Sequence, residues 1–222
     1  VLSYDSDMLL AARKTTPSHP TFDDILDART NVVRMPRRLD PSMTARLQAL
    51  VRDARFHHEV ALDTSAPEVG GLLTSITDAE VSRFLADDIR QLVQQWGQTL
   101  GHKHVHATLF VQRTDGCPKI HADAVTIRLL CTYTGPGTEW LPNAELVRKN
   151  LARTDVDLAT ANASVIRKGG ALRRCDPGDV LLLKGNGYPG NAGRGAAHRS
   201  PPLGASGVAR LVLKIDQNRC GC

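Results

Sequence analysis

Thr126-Ile-Arg-Leu-Leu-Cys-Thr-Tyr133, closed by Thr134-Gly-Pro-Gly137, is the stretch that decides the fold. A short apolar run rich in Ile, Leu and Tyr, stopped by a Gly-Pro-Gly turn, reads as a strand. The same texture extends in both directions. His102, His104 and His106 alternate with Lys103, Val105 and Ala107, and the run continues to Arg113. A further strand is expected over Lys119 to Val125. Downstream, Lys168-Gly-Gly170 separates Ala163–Arg167 from Ala171–Arg174, and Asp176-Pro-Gly-Asp179 launches Val180-Leu-Leu-Leu-Lys184. A Gly-rich stretch from Gly185 to Gly195 leads into His198, and Val208–Asp216 closes the pattern.

Upstream the period changes. Thr44 to Ala54 carries Leu47, Leu50 and Val51 at helical spacing, with Ser42 as the expected N-cap. Thr77-x-x-Glu80 reads as a capping box before Val81, Phe84, Leu85, Ile89, Leu92, Val93 and Trp96, an apolar stripe ended by Gly97 or Gly101. A short helical pattern spans Ala144–Leu151. Many short strands after a helical third indicate an α+β protein, a cupin-like double-stranded β-helix (jelly roll) with N-terminal helices packed on the outside of the sheet. The expected division is an arm over 1–40, a helical extension over 41–101 and a metal-binding core over 102–222.

The 222 residues suffice for one domain with a substantial core, which must be largely aliphatic because aromatics make up only 4%. No apolar run approaches the ~20 residues of a membrane span, and no charged-then-apolar leader opens the sequence. The expectation is a cytoplasmic protein without a membrane partner. Net charge is +5, but Lys and Arg are scattered without interleaved aromatics, so nucleic acid is not an expected partner. The odd set Cys117, Cys131, Cys175, Cys220 and Cys222 argues for reduced thiols rather than a disulfide framework. Cys220-Gly-Cys222 is either a soft-metal ligand pair or a functionless tail.

The chemistry lies in His121-Ala-Asp123 and in His198, the sole His after position 121. Two imidazoles and a carboxylate can occupy one face of an octahedral ion, the ligand set of non-haem Fe(II) oxygenases. Residues two apart on a strand point the same way, so His121 and Asp123 can grip one ion. The blander alternative is a surface pair on a turn, with His198 capping a loop. His102, His104 and His106 share a strand face and read as a second metal site or, with no matching acid or thiol, as an exposed polar face. Cys117 has the parity of His121 and would favour zinc if Pro118 leaves the strand unbroken. His57 and His58 adjoin a helix end, where a cation offsets the dipole. Gly185-x-Gly187-x-x-Gly190 imitates a dinucleotide fingerprint without the helix that motif needs.

Cys117-Pro-Lys-Ile-His121-Ala-Asp123 and Arg128-Leu-Leu-Cys-Thr-Tyr-Thr-Gly-Pro-Gly-Thr-Glu-Trp140 resemble the metal-binding half of the Fe(II)/2-oxoglutarate-dependent oxygenases. Pro177-Gly-Asp-Val-Leu-Leu-Leu183, His198-Arg-Ser-Pro-Pro202 and Arg210-Leu-Val-Leu-Lys-Ile-Asp216 resemble that family's C-terminal half. Residues 102–216 also resemble, more closely, a bacterial family catalogued as a domain of unknown function and associated with zinc homeostasis. The oxygenase resemblance implies His121, Asp123 and His198 as Fe(II) ligands and as the catalytic residues. It also implies Arg210 as the 2-oxoglutarate-binding residue, with Tyr133 and Arg128 contributing to co-substrate binding. Arg210 would otherwise pair with Asp216 or Glu139. The family's usual Ser or Thr two places beyond the Arg is Val212 here. The substrate, a small molecule or a protein, is not written in these residues. The zinc resemblance implies an accessory or sensor protein holding Zn instead, and a metal-free binding module is the third reading.

Overall fold

The computed structural model describes residues 19–204 and 207–217. The Cys220/Cys222 pair and residues 1–18 of the expected arm lie outside the described residues. Nine strands are present among them: β1 (Val32–Met35), β2 (His57–Asp63), β3 (His104–Gln112), β4 (Ile127–Thr134), β5 (Glu139–Leu141), β6 (Arg173–Arg174), β7 (Val180–Lys184), β8 (Ala197–Arg199) and β9 (Arg210–Asp216). They form a six-stranded sheet in the order β1-β7-β4-β9-β3-β2 and a three-stranded sheet in the order β6-β5-β8. All pairings within both sheets are antiparallel. The protein is a mixed α/β fold of antiparallel sheets with few helices.

Strand alternation divides the large sheet into two chemically distinct faces. Leu129 and Cys131 of β4, Leu211, Leu213 and Ile215 of β9, and Val105, Ala107 and Leu109 of β3 join the main apolar core with the helices. The other face carries Arg128, Leu130 and Thr132 from β4 and Arg210, Val212, Lys214 and Asp216 from β9, with Arg128 opposite Asp216 and Thr132 opposite Val212. A second apolar cluster of Cys175, Leu181, Leu183 and Ala196, with Leu130 and Trp140 against it, lies on this side.

Two helices cover the apolar face. In α1 (Pro41–Asp53) the cap is Asp40 rather than Ser42: its carboxylate accepts from the Ser42 and Met43 amides, and Pro41 fills the first turn, where no amide is needed. Helix α2 (Ala79–Leu100) starts one residue later than the Thr77 box implies, because Asp78 accepts from the Glu80 and Val81 amides. Gly101, at φ 69°, ends it in the left-handed conformation that glycine adopts without steric cost. The expected stripe faces the core, with Val81, Leu85, Ile89, Leu92, Val93 and Trp96 buried. No described helix is long and apolar enough to cross a membrane.

Three local expectations need correction. Residues 32–35 and 57–63, expected as arm and helical extension, are strands at the two edges of the large sheet. His57 and His58 therefore begin β2 instead of serving a helix dipole. Lys119 to Val125 is not a continuous strand; it contributes a single bridge, His121 to His198, after Pro118 removes a ladder donor. Residues 158–165, in part expected as strand, form α3 (Leu158–Val165), capped by Asp157.

Candidate metal centre

His121, Asp123 and His198 converge from two segments distant in sequence. Their backbones are tied directly: the His121 amide donates to the His198 carbonyl at 3.0 Å, and the His198 amide donates back at 2.9 Å. This cross-chain bridge sets the two rings 4.6 Å apart, centroid to centroid. Asp123 completes the group, with Oδ1 3.5 Å from His121 Nε2 and Oδ2 3.2 Å from His198 Nε2. Two ligands at ~2.1 Å from one ion, a right angle apart, would stand about 3 Å from each other. The observed separations suit three adjacent positions on one ion.

Hydrogen bonding fixes the ring tautomers. His121 Nδ1 lies 2.8 Å from the Lys119 carbonyl, and His198 Nδ1 lies 3.1 Å from the Ala196 carbonyl. A carbonyl only accepts, so each Nδ1 carries its proton and each neutral ring turns an Nε2 lone pair inward. Lone pairs then face the carboxylate oxygens, acceptor against acceptor. Only a cation between them, a proton or a metal, relieves that arrangement. In its absence the Asp123 carboxylate raises the His121 pKa, against the opposing effect of burial. The donor set of two nitrogens and one oxygen fits a first-row divalent metal.

Asp123 is itself held. Burial opposes its ionisation, but hydrogen bonds from the two imidazoles, once a proton sits on Nε2, and the Arg128 charge outweigh that and keep its carboxyl far below the usual range. Arg128 Nη1 donates to Asp123 Oδ2 at 2.8 Å, while Nε and Nη2 grip both oxygens of Asp216, each at 2.8 Å. Arg128 thus orients a ligand, instead of offering its fork to a co-substrate. On the other side, Asn162 of α3 accepts from the Ile120 amide at 2.7 Å and donates to the Pro118 carbonyl at 3.0 Å. This fixes the irregular segment that presents His121. Neither Asn162 nor Asp216 is marked by any local motif as part of a site.

Gly185 and Gly187 account for the apparent dinucleotide fingerprint. The Asn186 amide donates to the Asp123 carbonyl at 2.7 Å and the Gly185 amide to the Thr126 carbonyl at 2.8 Å. A Cβ on Gly185 would collide with the Val125 carbonyl, and one on Gly187 with that of Ala124. The glycines allow one backbone to lie on another. Close approach, not phosphate binding, explains them.

His121 and His198 open on a cavity of about 230 Å³, lined among others by Phe110, Cys117, Leu130, Thr138, Arg210 and Lys214. Arg210, 1% exposed, enters it from the start of β9. Its Nη1 donates to Gln112 Oε1 at 2.8 Å, and its Nη2 to Thr132 Oγ1 at 3.1 Å and Thr138 Oγ1 at 3.4 Å. The buried Nε has no partner. Among the described residues no carboxylate meets this guanidinium. Asp216 is taken by Arg128, and Glu139 by Arg174 and Arg199, which removes both alternative partners expected from the sequence. Burial lowers the Arg210 pKa to about 10, only partly offset by Cys175 and Glu139, yet the group stays charged at neutral pH. Thr132 stands opposite Val212 in register, and its hydroxyl meets the Arg210 guanidinium.

Tyr133 does not reach this cavity. It lies on the helix-covered face, where its hydroxyl donates to Asp88 Oδ2 of α2 at 2.7 Å. Strand alternation turns it away, at an irregularity in the β4–β9 ladder between Thr132 and Thr134. Cys117 lines the cavity but is not among the converging ligand atoms. His102 leaves the histidine row: it accepts from Trp96 Nε1 at 3.0 Å, and burial lowers its pKa. Among the described residues, His121, Asp123 and His198 form the sole cluster with metal-ligand spacing.

Fold and site together define an antiparallel two-sheet protein with a two-histidine, one-aspartate centre. The chain belongs to the family described as "Protein of unknown function (DUF1826)", which matches residues 17–216. No curated protein sequence matches the chain. Among solved structures it is similar to the rice dioxygenase for auxin oxidation, at 13% identity over 86% of this chain and 74% of that one, with a TM-score of 0.46. A Pseudomonas putida prolyl-4-hydroxylase matches at 14% identity over 90% and 97% of the two chains, with a TM-score of 0.43. The Arabidopsis thaliana dioxygenase for auxin oxidation 1, solved with 2-oxoglutarate, matches at 11% identity over 85% and 83%, with a TM-score of 0.42.

Proposed function

We propose that this protein is an Fe(II)- and 2-oxoglutarate-dependent oxygenase, its two sheets being the halves of a double-stranded β-helix. The observation that carries the reading is Arg210: a buried, charged guanidinium without a carboxylate partner, in the cavity that His121 and His198, two of the three convergent residues, also line. Burying such a charge is costly unless an anion meets it. A planar fork is suited to a carboxylate, and the distal carboxylate of a 2-oxo acid would meet that need. His121, Asp123 and His198 would hold the iron, which when bound supplies the redox chemistry that couples 2-oxo acid decarboxylation to substrate oxidation. Arg128 keeps Asp123 ionised and aimed. Thr132, Thr138 and Gln112 hold the Arg210 fork in place before the acid arrives.

Zinc, bound in an accessory or sensor protein, is the second reading. The same three ligands accept zinc, but a closed structural site takes four, and Cys117 is not in the converging group. Three ligands beside an anion-seeking cavity favour an open, reactive centre.

The test is anaerobic reconstitution with Fe(II), followed by oxygen and 2-oxoglutarate, with succinate as the readout. Succinate formation is expected from the native chain. Arg210→Ala is expected to keep its iron and to bind 2-oxoglutarate more weakly by roughly a hundredfold, since two charge-assisted bonds are lost. Absence of both turnover and 2-oxoglutarate binding sinks the proposal. Equal loss of metal and acid in Arg210→Ala would make that residue structural.

A further inference from the structure

The cavity holds more positive charge than the oxygenase reading uses. Arg128, Arg199, Arg210 and Lys214 line it. Three carboxylates serve them: Asp123 and Asp216 on Arg128, and Glu139 on Arg199, the last of these shared with Arg174 outside. A divalent metal and a divalent 2-oxo acid cancel each other, so the side-chain surplus survives loading.

Lys214 is where that surplus is available. It shares the cavity face of β9 with Arg210 but stands four residues away, roughly 13 Å along the strand. Its side chain is 26% exposed, against 1% for Arg210 as a whole, so it belongs to the mouth and Arg210 to the floor. Its approach to a carboxylate is a 3.9 Å contact with Asp216 Oδ2, and both Asp216 oxygens already accept from Arg128. An aromatic surface lies beside it on the same sheet face: Phe110, opposite Val212, stacks on His57 with ring centroids 5.3 Å apart. The cavity, at about 230 Å³, falls below the ~300–1,000 Å³ of a typical small-molecule pocket. Once a five-carbon diacid is inside, only the reacting end of a second molecule fits, and the remainder must lie at the mouth.

We propose that the substrate oxidised at this site is a small anion, a carboxylate or a phosphate monoester, whose charged group is held by Lys214 and whose apolar part lies against Phe110. The inference rests on the oxygenase reading for the place of the 2-oxo acid, but Lys214 can be tested apart from it.

The full chain is loaded with zinc, a divalent ion that does not turn over, and given excess 2-oxoglutarate. Binding of phenylacetate, phenyl phosphate and phenylacetamide is then followed by saturation-transfer NMR. The two anions are expected to bind more tightly than the amide by roughly tenfold or more, the contribution of one charge-assisted contact. Lys214→Met should erase that difference and Lys214→Arg should retain it. Whichever anion binds more tightly identifies the group as carboxylate or phosphate. Equal binding of amide and acids, no binding of any probe, or a preference that survives in Lys214→Met overturns the proposal. So does a Lys214→Met variant that loses 2-oxoglutarate instead, since Lys214 would then serve the co-substrate. Failure of the oxygenase reading shows separately, as a native chain that does not bind 2-oxoglutarate. The anion-to-amide comparison, repeated without that acid, then decides the role of Lys214.

Discussion

Arg128 joins the metal centre to the sheet. Its guanidinium spans Asp123 and Asp216, and all three groups are buried, so neither carboxylate can be left alone at low cost. A lysine would keep the charge but could not bridge two carboxylates with a rigid fork. Arg128→Lys is therefore expected to lower metal affinity by roughly 10–100-fold, the usual effect of disturbing a group that orients a ligand. Chelator competition measures the affinity, and an unchanged far-UV circular dichroism spectrum shows that the fold persists. Residues of this kind are hard to find in a sequence. His121, Asp123 and His198 announce themselves by chemical type and spacing. Asn162 is an ordinary helix residue until the loop it supports is seen, and Thr132 reaches Arg210 across from Val212 only because of a cross-strand register that no local pattern encodes.

At the level of elements, the Gly185–Gly187 turn is the part most sensitive to a single methyl group. It lies directly on the Asp123–Thr126 backbone, and three amide-to-carbonyl bonds tie the two segments. Gly185→Ala should cost about 1–3 kcal/mol, the range for overpacking a tight contact. It should also reduce metal stoichiometry, because the displaced backbone carries Asp123. Thermal melting with metal analysis of the same preparation checks both; a stable, fully loaded variant would mean that the contact is dispensable. The long α2 and the almost wholly apolar β7 were legible in the sequence, and the two edge strands of the large sheet were not. The α2 stripe repeats often enough to be read, even though its cap lies at Asp78 and not Thr77. Strand β2 does carry a period-two signal in Phe56, Val60 and Leu62, but a strand at the sheet edge with an exposed polar face leaves few positions to reveal it. Strand β1 has four residues and gives no pattern at all.

For the whole molecule, the apolar clusters on the two faces of the large sheet contain groups that ionise more readily once unfolded. Burial raises the Cys131 and Cys175 thiols to about 12, from an ordinary 9.0, and raises the Tyr133 hydroxyl well above 10.0. Between about pH 9 and 12 the unfolded chain gives up protons that the folded chain keeps, so the unfolded state binds fewer and stability falls as pH rises. Each such group contributes a loss of up to ~1.4 kcal/mol per pH unit. The melting temperature should decline steeply above pH 9, and Cys131→Ala should make the slope shallower even if its starting stability is lower. A flat profile from pH 9 to 11 would contradict the burial of these groups.

The reciprocal amide bonds between His121 and His198 mean that whatever the imidazoles grasp also fastens strand β8 of the small sheet to the segment that precedes β4 of the large one. An ion seated there acts as a rivet through the seam, and tighter grip on it must return, by mass action, as greater resistance of the seam to parting. Occupancy and cohesion then become one quantity, and the protein without an ion there would be the looser of the two forms.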